Sequence, residues 1–297
     1  MAKSNVFLGL ASGKVGDIVF ARAKGQQITR VRVVPNNPRT GKQQAQRVRM
    51  AAVAALYRAG REVLKDSFTV RHGFESSYNA FARNAINMSP FFTRQMVDNC
   101  LALPIPSQAS RGVLTPLVVN KSDGVSAGVD RIPSYGLELT GTIGAWSKAF
   151  LAVNPTYKNG DKVTYLVIRF IKNTEVPLVD AYNPIATVAE IVIDTESTQT
   201  IKDAGWGMSD IEGSMNYLYP ASMMNFFSDD TLAASDNIMM TVAIGSSKGA
   251  NGELLVSSEY FTLTAGAKRV YDSFRTPTAL EAAINSYGSS SDSTLSV

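Results

Sequence analysis

The sequence predicts a mainly β protein. Its body is an antiparallel β-sandwich, of jelly-roll or immunoglobulin-like type, preceded by an α+β N-terminal part built from a basic β-hairpin and helices. Three observations carry this expectation. Beyond residue 105 the apolar residues alternate with period two in seven runs, at 112–120, 134–144, 149–154, 162–171, 186–193, 237–244 and 253–263. Before residue 104 the period is helical. Charge is also segregated along the chain. Residues 1–72 hold 14 Lys/Arg against three acids, a balance of +11, while the rest holds 15 basic and 22 acidic groups, a balance of −7.

Taken in order, the chain opens with a short strand, Val6-Phe7-Leu8, and Gly-rich turns at Gly9 and at Gly13-Lys14-Val15-Gly16. Ser12-Gly13-Lys14 imitates a phosphate-binding loop but lacks its spacing. Leu8 stands where the first Gly is needed and Val15 where a hydroxyl should bind the metal. A strand over 17–24 places Ile18, Phe20, Arg22 and Lys24 on one face, and its return strand over 27–34 places Ile28, Arg30, Arg32 and Val34 together. With the right register, Arg22, Lys24, Arg30 and Arg32 gather on one surface. Like charges across strands repel, so such a patch calls for a partner: phosphate or acidic side chains.

Pro35 and Pro38 end the strand. Thr40 with Gln43 forms a capping-box pattern that opens a helix from Gly41 to Ala59, with Gly60 as its stop. Val48, Ala52, Leu56 and Ala59 make its apolar stripe; Lys42, Arg47, Arg49 and Arg58 lie on other sides. Further helical turns are expected over 62–68, 76–88 and 92–103. Leu103-Pro104-Ile105-Pro106 then marks a boundary, dividing the chain into 1–104, the hairpin and helices, and 105–297, the β body. Within the body, 163–171 is β-branched and aromatic on both faces and reads as a central strand. The stretch 205–227 is an insertion rich in Met, Tyr and Phe, suited to an interface or to loop core. A helix from Thr276-Pro277 to Tyr287, stopped by Gly288, precedes a Ser-rich tail over 289–297.

Composition narrows the function classes. At 45% hydrophobic content the chain buries a real core. The start shows no secretory pattern, and the longest apolar run is far short of a membrane span. Single Cys100 and single His72 leave no disulfide, no thiolate metal cluster and little scope for a Ser/His/Asp set. Candidate carboxylates, Asp161, Asp180, Asp194, Glu196, Asp210, Glu212 and the Asp229-Asp230 pair, fall on turns with no partner motif. No enzyme, cofactor or metal is expected.

The run Ser12-Gly13-Lys14-Val15-Gly16-Asp17-Ile18-Val19, followed by Asn37-Pro38-Arg39-Thr40-Gly41-Lys42-Gln43-Gln44-Ala45-Gln46-Arg47, resembles a family. It is a domain of unknown function common in Bacteroidetes and in phage-like sequences of the same habitats. Its members pair a Ser-Gly-Lys-Val-Gly hairpin with an Asn-Pro-(Arg/Lys)-Thr-x-x-Gln-x-x-Gln-Arg helix start. Where members often carry Trp in the second strand, this chain has Phe20-Ala21-Arg22, and its helix is more basic. The resemblance implies a hairpin-helix head on an immunoglobulin-like body, and no known activity.

Together these features point to a virion structural protein, a self-assembling coat of a small DNA phage, made in the host cytoplasm and located in the virion. Arg22, Lys24, Arg30, Arg32, Arg39, Lys42, Arg47 and Arg49 are then expected to neutralise packaged nucleic acid without reading its sequence. The partners are further copies of the chain and nucleic acid, with no membrane. A tail or connector component, or a surface adhesion module using its cations for protein contacts, is the alternative.

Overall fold

The computed structural model describes residues 3–5, 10–23, 26–33, 39–117, 141–176, 180–200 and 237–288. They form an α+β protein with two antiparallel sheets. The first sheet runs in chain order: β1 (Lys3–Asn5), β2 (Leu10–Val15), β3 (Ile18–Ala23) and β4 (Gln26–Val31). Gly13-Lys14-Val15, expected in a turn, lies within β2. The turn is the two-residue Gly16-Asp17, with Gly16 at φ +57° and Val15 paired with Ile18. A positive φ at the first turn position suits the right-handed twist of the flanking strands, and only glycine adopts it without strain.

Helix α1 (Gly41–Ala59) begins at Thr40, whose side chain accepts from Gln43 N, and ends at Gly60. Short α2 (Arg61–Leu64) follows, then α3 (Ser77–Ala85) capped by Ser76, and α4 (Arg94–Asp98) capped by Thr93. The last is shorter than the helix expected over 92–103, because Cys100 takes a left-handed φ of 56° and turns the chain out.

The second sheet has the order β6-β5-β7-β8, from β5 (Lys162–Asn173), β6 (Ala181–Val192), β7 (Met239–Lys248) and β8 (Leu254–Val256). Strand β9 (Thr262–Leu263) joins the far end of the β7 edge. Strand β5 is central, as its two-faced apolar pattern predicts. Its even face, Leu166, Ile168 and Phe170, packs on Val48, Leu56, Phe81, Met96 and the C-terminal helix α7 (Pro277–Gly288). Its odd face, Val163, Tyr165 and Val167, packs on Trp146, Phe150 and Tyr157. Trp146 and Phe150 belong to α5 (Ile143–Val153), capped by Thr142. Residues 149–154 are thus mostly helical, where a strand is expected from alternation.

Helices therefore cover both faces of the central sheet, and no facing β layer stands among the described residues. The sandwich expectation stays at the coarser level of antiparallel sheets with helices. Helix α6 (Ala265–Ser273), capped by Thr264, was not expected at all. The stretches 205–227 and 289–297, the strand at Val6-Phe7-Leu8 and the acids Asp210, Glu212, Asp229 and Asp230 lie outside the described residues.

The Pro104/Pro106 stretch is no exposed linker. Leu101, Ala102, Leu103, Ile105 and Ala109 are buried, and residues of both predicted parts share one core. This extended segment is stitched to α2's C-terminal side and to β8. Arg111 N donates to Ser67 O at 2.9 Å and Leu114 N to Val256 O at 3.0 Å. A Cβ on Gly112 would land on the carbonyl oxygen of Val256. Backbone has little room to yield, so Gly112→Ala is expected to cost about 1–3 kcal/mol as an overpacking change. Urea denaturation measures it; an unchanged midpoint would show that the segment does not press on β8.

Candidate nucleic-acid interface

The first sheet sorts its side chains by register. Lys14 opposes Val19, and Val19 opposes Arg30. Directly opposed residues share a face. Arg32 N donates to Asp17 O at 2.6 Å, which continues the same ladder. Lys14, Arg30 and Arg32 therefore belong to one face, among Val19, Ala21 and Ile28. Val15 opposes Ile18, and Ile18 opposes Val31. These belong to the other face, with Phe20 and Thr29.

This corrects the expected four-cation surface. Arg22 opposes Gln27, a position of the Ile18 face, whereas Arg30 opposes Val19. The backbone register thus puts Arg22 and Arg30 in different rows. The reason is the pairing sum: period two fixes which residues of one strand go together, but only the turn decides which sets meet. Lys24 lies outside the described residues. Lys14 takes the vacated place. Its signal was present in the sequence, since a two-residue Gly16-Asp17 turn fixes its register against Val19.

The remaining predicted cations lie at or on α1. Arg39 precedes it at φ 52°, exposed. Lys42 is exposed in the first turn; Arg47 is exposed and donates to Gln44 Oε1 at 3.3 Å; Arg49 is half-buried. Val48, Ala52, Val53 and Leu56 occupy the buried side, which leaves the cations to flank an amphipathic helix.

Both parts of the chain form ion pairs: in the N-terminal part Arg83 pairs with Glu75, Arg94 with Asp98 at 2.9 Å and Lys65 with Asp66 at 3.8 Å. In the body, Lys162 pairs with Glu190 at 3.3 Å and Lys172 with Asp180 at 2.7 Å. Asp180 also raises the Lys172 pKa, through its hydrogen bond and its charge. Lys14, Arg30, Arg32, Lys42 and Arg49 have no carboxylate partner among the described residues.

Other candidate chemistry is used up locally. Asp161 is buried and accepts from Lys158 N at 2.9 Å; Asp194 Oδ1 accepts from Glu196 N at 3.0 Å. Both close turns. His72 is exposed, and its backbone N–H faces the Glu75 carboxylate at 3.4 Å. Among the described residues no cluster of three His, Cys, Asp or Glu is placed to hold a metal, and no helix is long and apolar enough to cross a membrane.

No family model, curated protein or solved structure matches this chain.

Proposed function

We propose that the chain is a virion structural protein, a self-assembling coat protein of a small DNA phage, whose basic N-terminal part contacts packaged nucleic acid or neighbouring subunits. The observation that carries this reading is the concentration of positive charge at the start of the chain. Residues 1–72 hold the +11 balance, and five of their cations lack an internal carboxylate partner among the described residues. An isolated subunit gains nothing from such a surface, since like charges repel. An assembly around a polyanion gains counterion release at every subunit.

The test is electron microscopy of the purified chain after size exclusion, with absorbance at 260 and 280 nm read on the same fraction. Closed particles with excess absorbance at 260 nm are the expected result. A monomer at every concentration would overturn the coat reading. Particles free of nucleic acid would overturn its nucleic-acid half.

A graded version uses salt. Lys14→Gln and Lys42→Gln should each weaken single-stranded and duplex DNA binding regardless of sequence. Each should lower the slope of log K against log salt by about one. An unchanged slope in either variant would remove that residue from the interface.

A further inference from the structure

The sequence contains two Asn-Gly pairs, Asn159-Gly160 and Asn251-Gly252. Asn before Gly is prone to deamidation, because glycine has no side chain to shield its backbone nitrogen from the amide before it. Both pairs lie on exposed turns, and their glycines take φ of +91° and +81°. Sequence and backbone therefore do not distinguish them. Their hydrogen bonds do.

The Asn159 side chain is held at both ends. Its Nδ2 donates to Thr195 Oγ1 at 2.9 Å, and its Oδ1 accepts from Thr195 N at 3.3 Å. Gly160 N, the atom that would attack, donates to Ile193 O at 2.8 Å, across to the segment leaving β6. Buried Asp161 closes the turn by accepting from Lys158 N at 2.9 Å. Asn251 lies in the turn joining β7 to β8. Its backbone N donates to Glu253 Oε2 at 3.0 Å, but its side-chain amide makes no hydrogen bond among the described residues. Gly252 N donates within the same turn, to Gly249 O at 3.0 Å.

We infer that Asn251 is a site of spontaneous deamidation and that Thr195 protects Asn159 from the same reaction. Gly252 N gives its proton to solvent base and bonds to Asn251 Cγ. The Cγ–Nδ2 bond breaks, and the nitrogen leaves as ammonia after taking up a proton. Water then opens the resulting cyclic imide at either carbonyl, giving aspartate or isoaspartate. Both products place a new carboxylate beside Glu253. The isoaspartate also routes the main chain through Cβ and Cγ, which lengthens the turn that sets the pairing of Lys248 with Leu254. At Asn159 the same attack must first break the two bonds to Thr195.

The full chain is aged at mildly alkaline pH, and acid formation at each site is read by peptide mass spectrometry. The folded chain should deamidate at Asn251 at least about tenfold faster than at Asn159, the margin that two hydrogen bonds supply. In urea the two rates should converge, since each Asn precedes Gly. Thr195→Val, shown to fold by unchanged circular dichroism and thermal midpoint, should speed Asn159 and leave Asn251 as it was. Equal rates in the folded chain would overturn the inference. So would a preference for Asn251 that persists undiminished in urea, which would belong to the local sequence and not to the fold. An unchanged Asn159 rate in Thr195→Val would overturn the protective role of Thr195.

Discussion

Phe150→Ala is expected to destabilise the fold by about 3–5 kcal/mol, the cost of removing a fully enclosed aromatic side chain and leaving a cavity. Phe150 is completely buried on α5. Its ring stacks on Trp146 at 5.3 Å between centroids and meets Tyr157 edge-on at 5.4 Å. The core on this face of the sheet is the smaller of the two, so one ring is a large part of it. The loss should not stay local. Strand β5 contributes Val163, Tyr165 and Val167 to this core and Leu166, Ile168 and Phe170 to the other. A single denaturant transition at a lower midpoint is therefore expected, as for one cooperative unit. Phe150→Leu keeps most of the volume and should cost far less. A Phe150→Ala shift below about 1 kcal/mol would mean that α5 does not close this face.

The same helix shows what the sequence makes legible and what it hides. Strand β5 was readable because β-branched and aromatic residues fill both of its faces. That pattern says the strand is covered on both sides, but a helix covers a sheet face as well as another sheet does. The step from central strand to sandwich was therefore underdetermined. Over 149–154 the apolar residues Ala149, Leu151 and Val153 alternate, while the residues buried within the core are Trp146 and Phe150, four apart, with Leu151 and Val153 packed at its margin. The helical period outweighs the alternation once Thr142 is recognised as a cap, its side chain accepting from Ala145 N at 3.2 Å. Thr264 caps α6 in the same way, accepting from Ala267 N at 3.3 Å. Neither has Glu or Gln three residues on, so neither shows the full capping-box signature that made α1 visible at Thr40 and Gln43.

At the candidate interface, charge segregation was readable from composition alone, but the grouping of cations was not. Period two joined Arg30 to Arg32, since the β3–β4 ladder continues one residue past β4 to Arg32. It failed between strands, where the Gly16-Asp17 turn and the β3–β4 pairing set which rows meet. That placed Lys14 and Arg30 on one face with Val19 between them, and Arg22 in the other row of the register. The segment at Pro104 and Pro106 is ambiguous for a related reason. Proline forbids helix and forces extended backbone, which describes a buried extended segment as well as a linker. Only the burial of Leu103, Ile105 and Ala109 distinguishes the two.

Stability should fall as pH rises from 5 to 8, and Glu259 is the group responsible. Its Oε1 accepts from Leu117 N at 2.8 Å, while its backbone pairs with Ser110 beside β8. Burial pushes its carboxyl pKa up to about 7; the hydrogen bonds from Leu117 and Ser257 pull the other way and lose. The charge on Glu259 also adds to the burial that lifts the Tyr157 hydroxyl to about 12. A raised pKa means the folded state holds this proton more tightly than the unfolded chain does. Below the unfolded value both states are protonated and nothing is lost. Between the unfolded value and 7 the unfolded chain ionises first, so the fold loses stability, and above 7 the loss is complete. Each factor of ten in proton affinity is worth about 1.4 kcal/mol, and partial solvent contact reduces the full value, so the loss is about 2 kcal/mol. Glu259→Gln keeps an acceptor for Leu117 N and cannot ionise. It should flatten the profile between pH 5 and 8 and exceed the unmodified chain at pH 8 by a similar amount. Urea midpoints at four pH values decide the matter. Parallel profiles for the two proteins would assign the pH dependence to another group and leave Glu259 a simple structural acceptor.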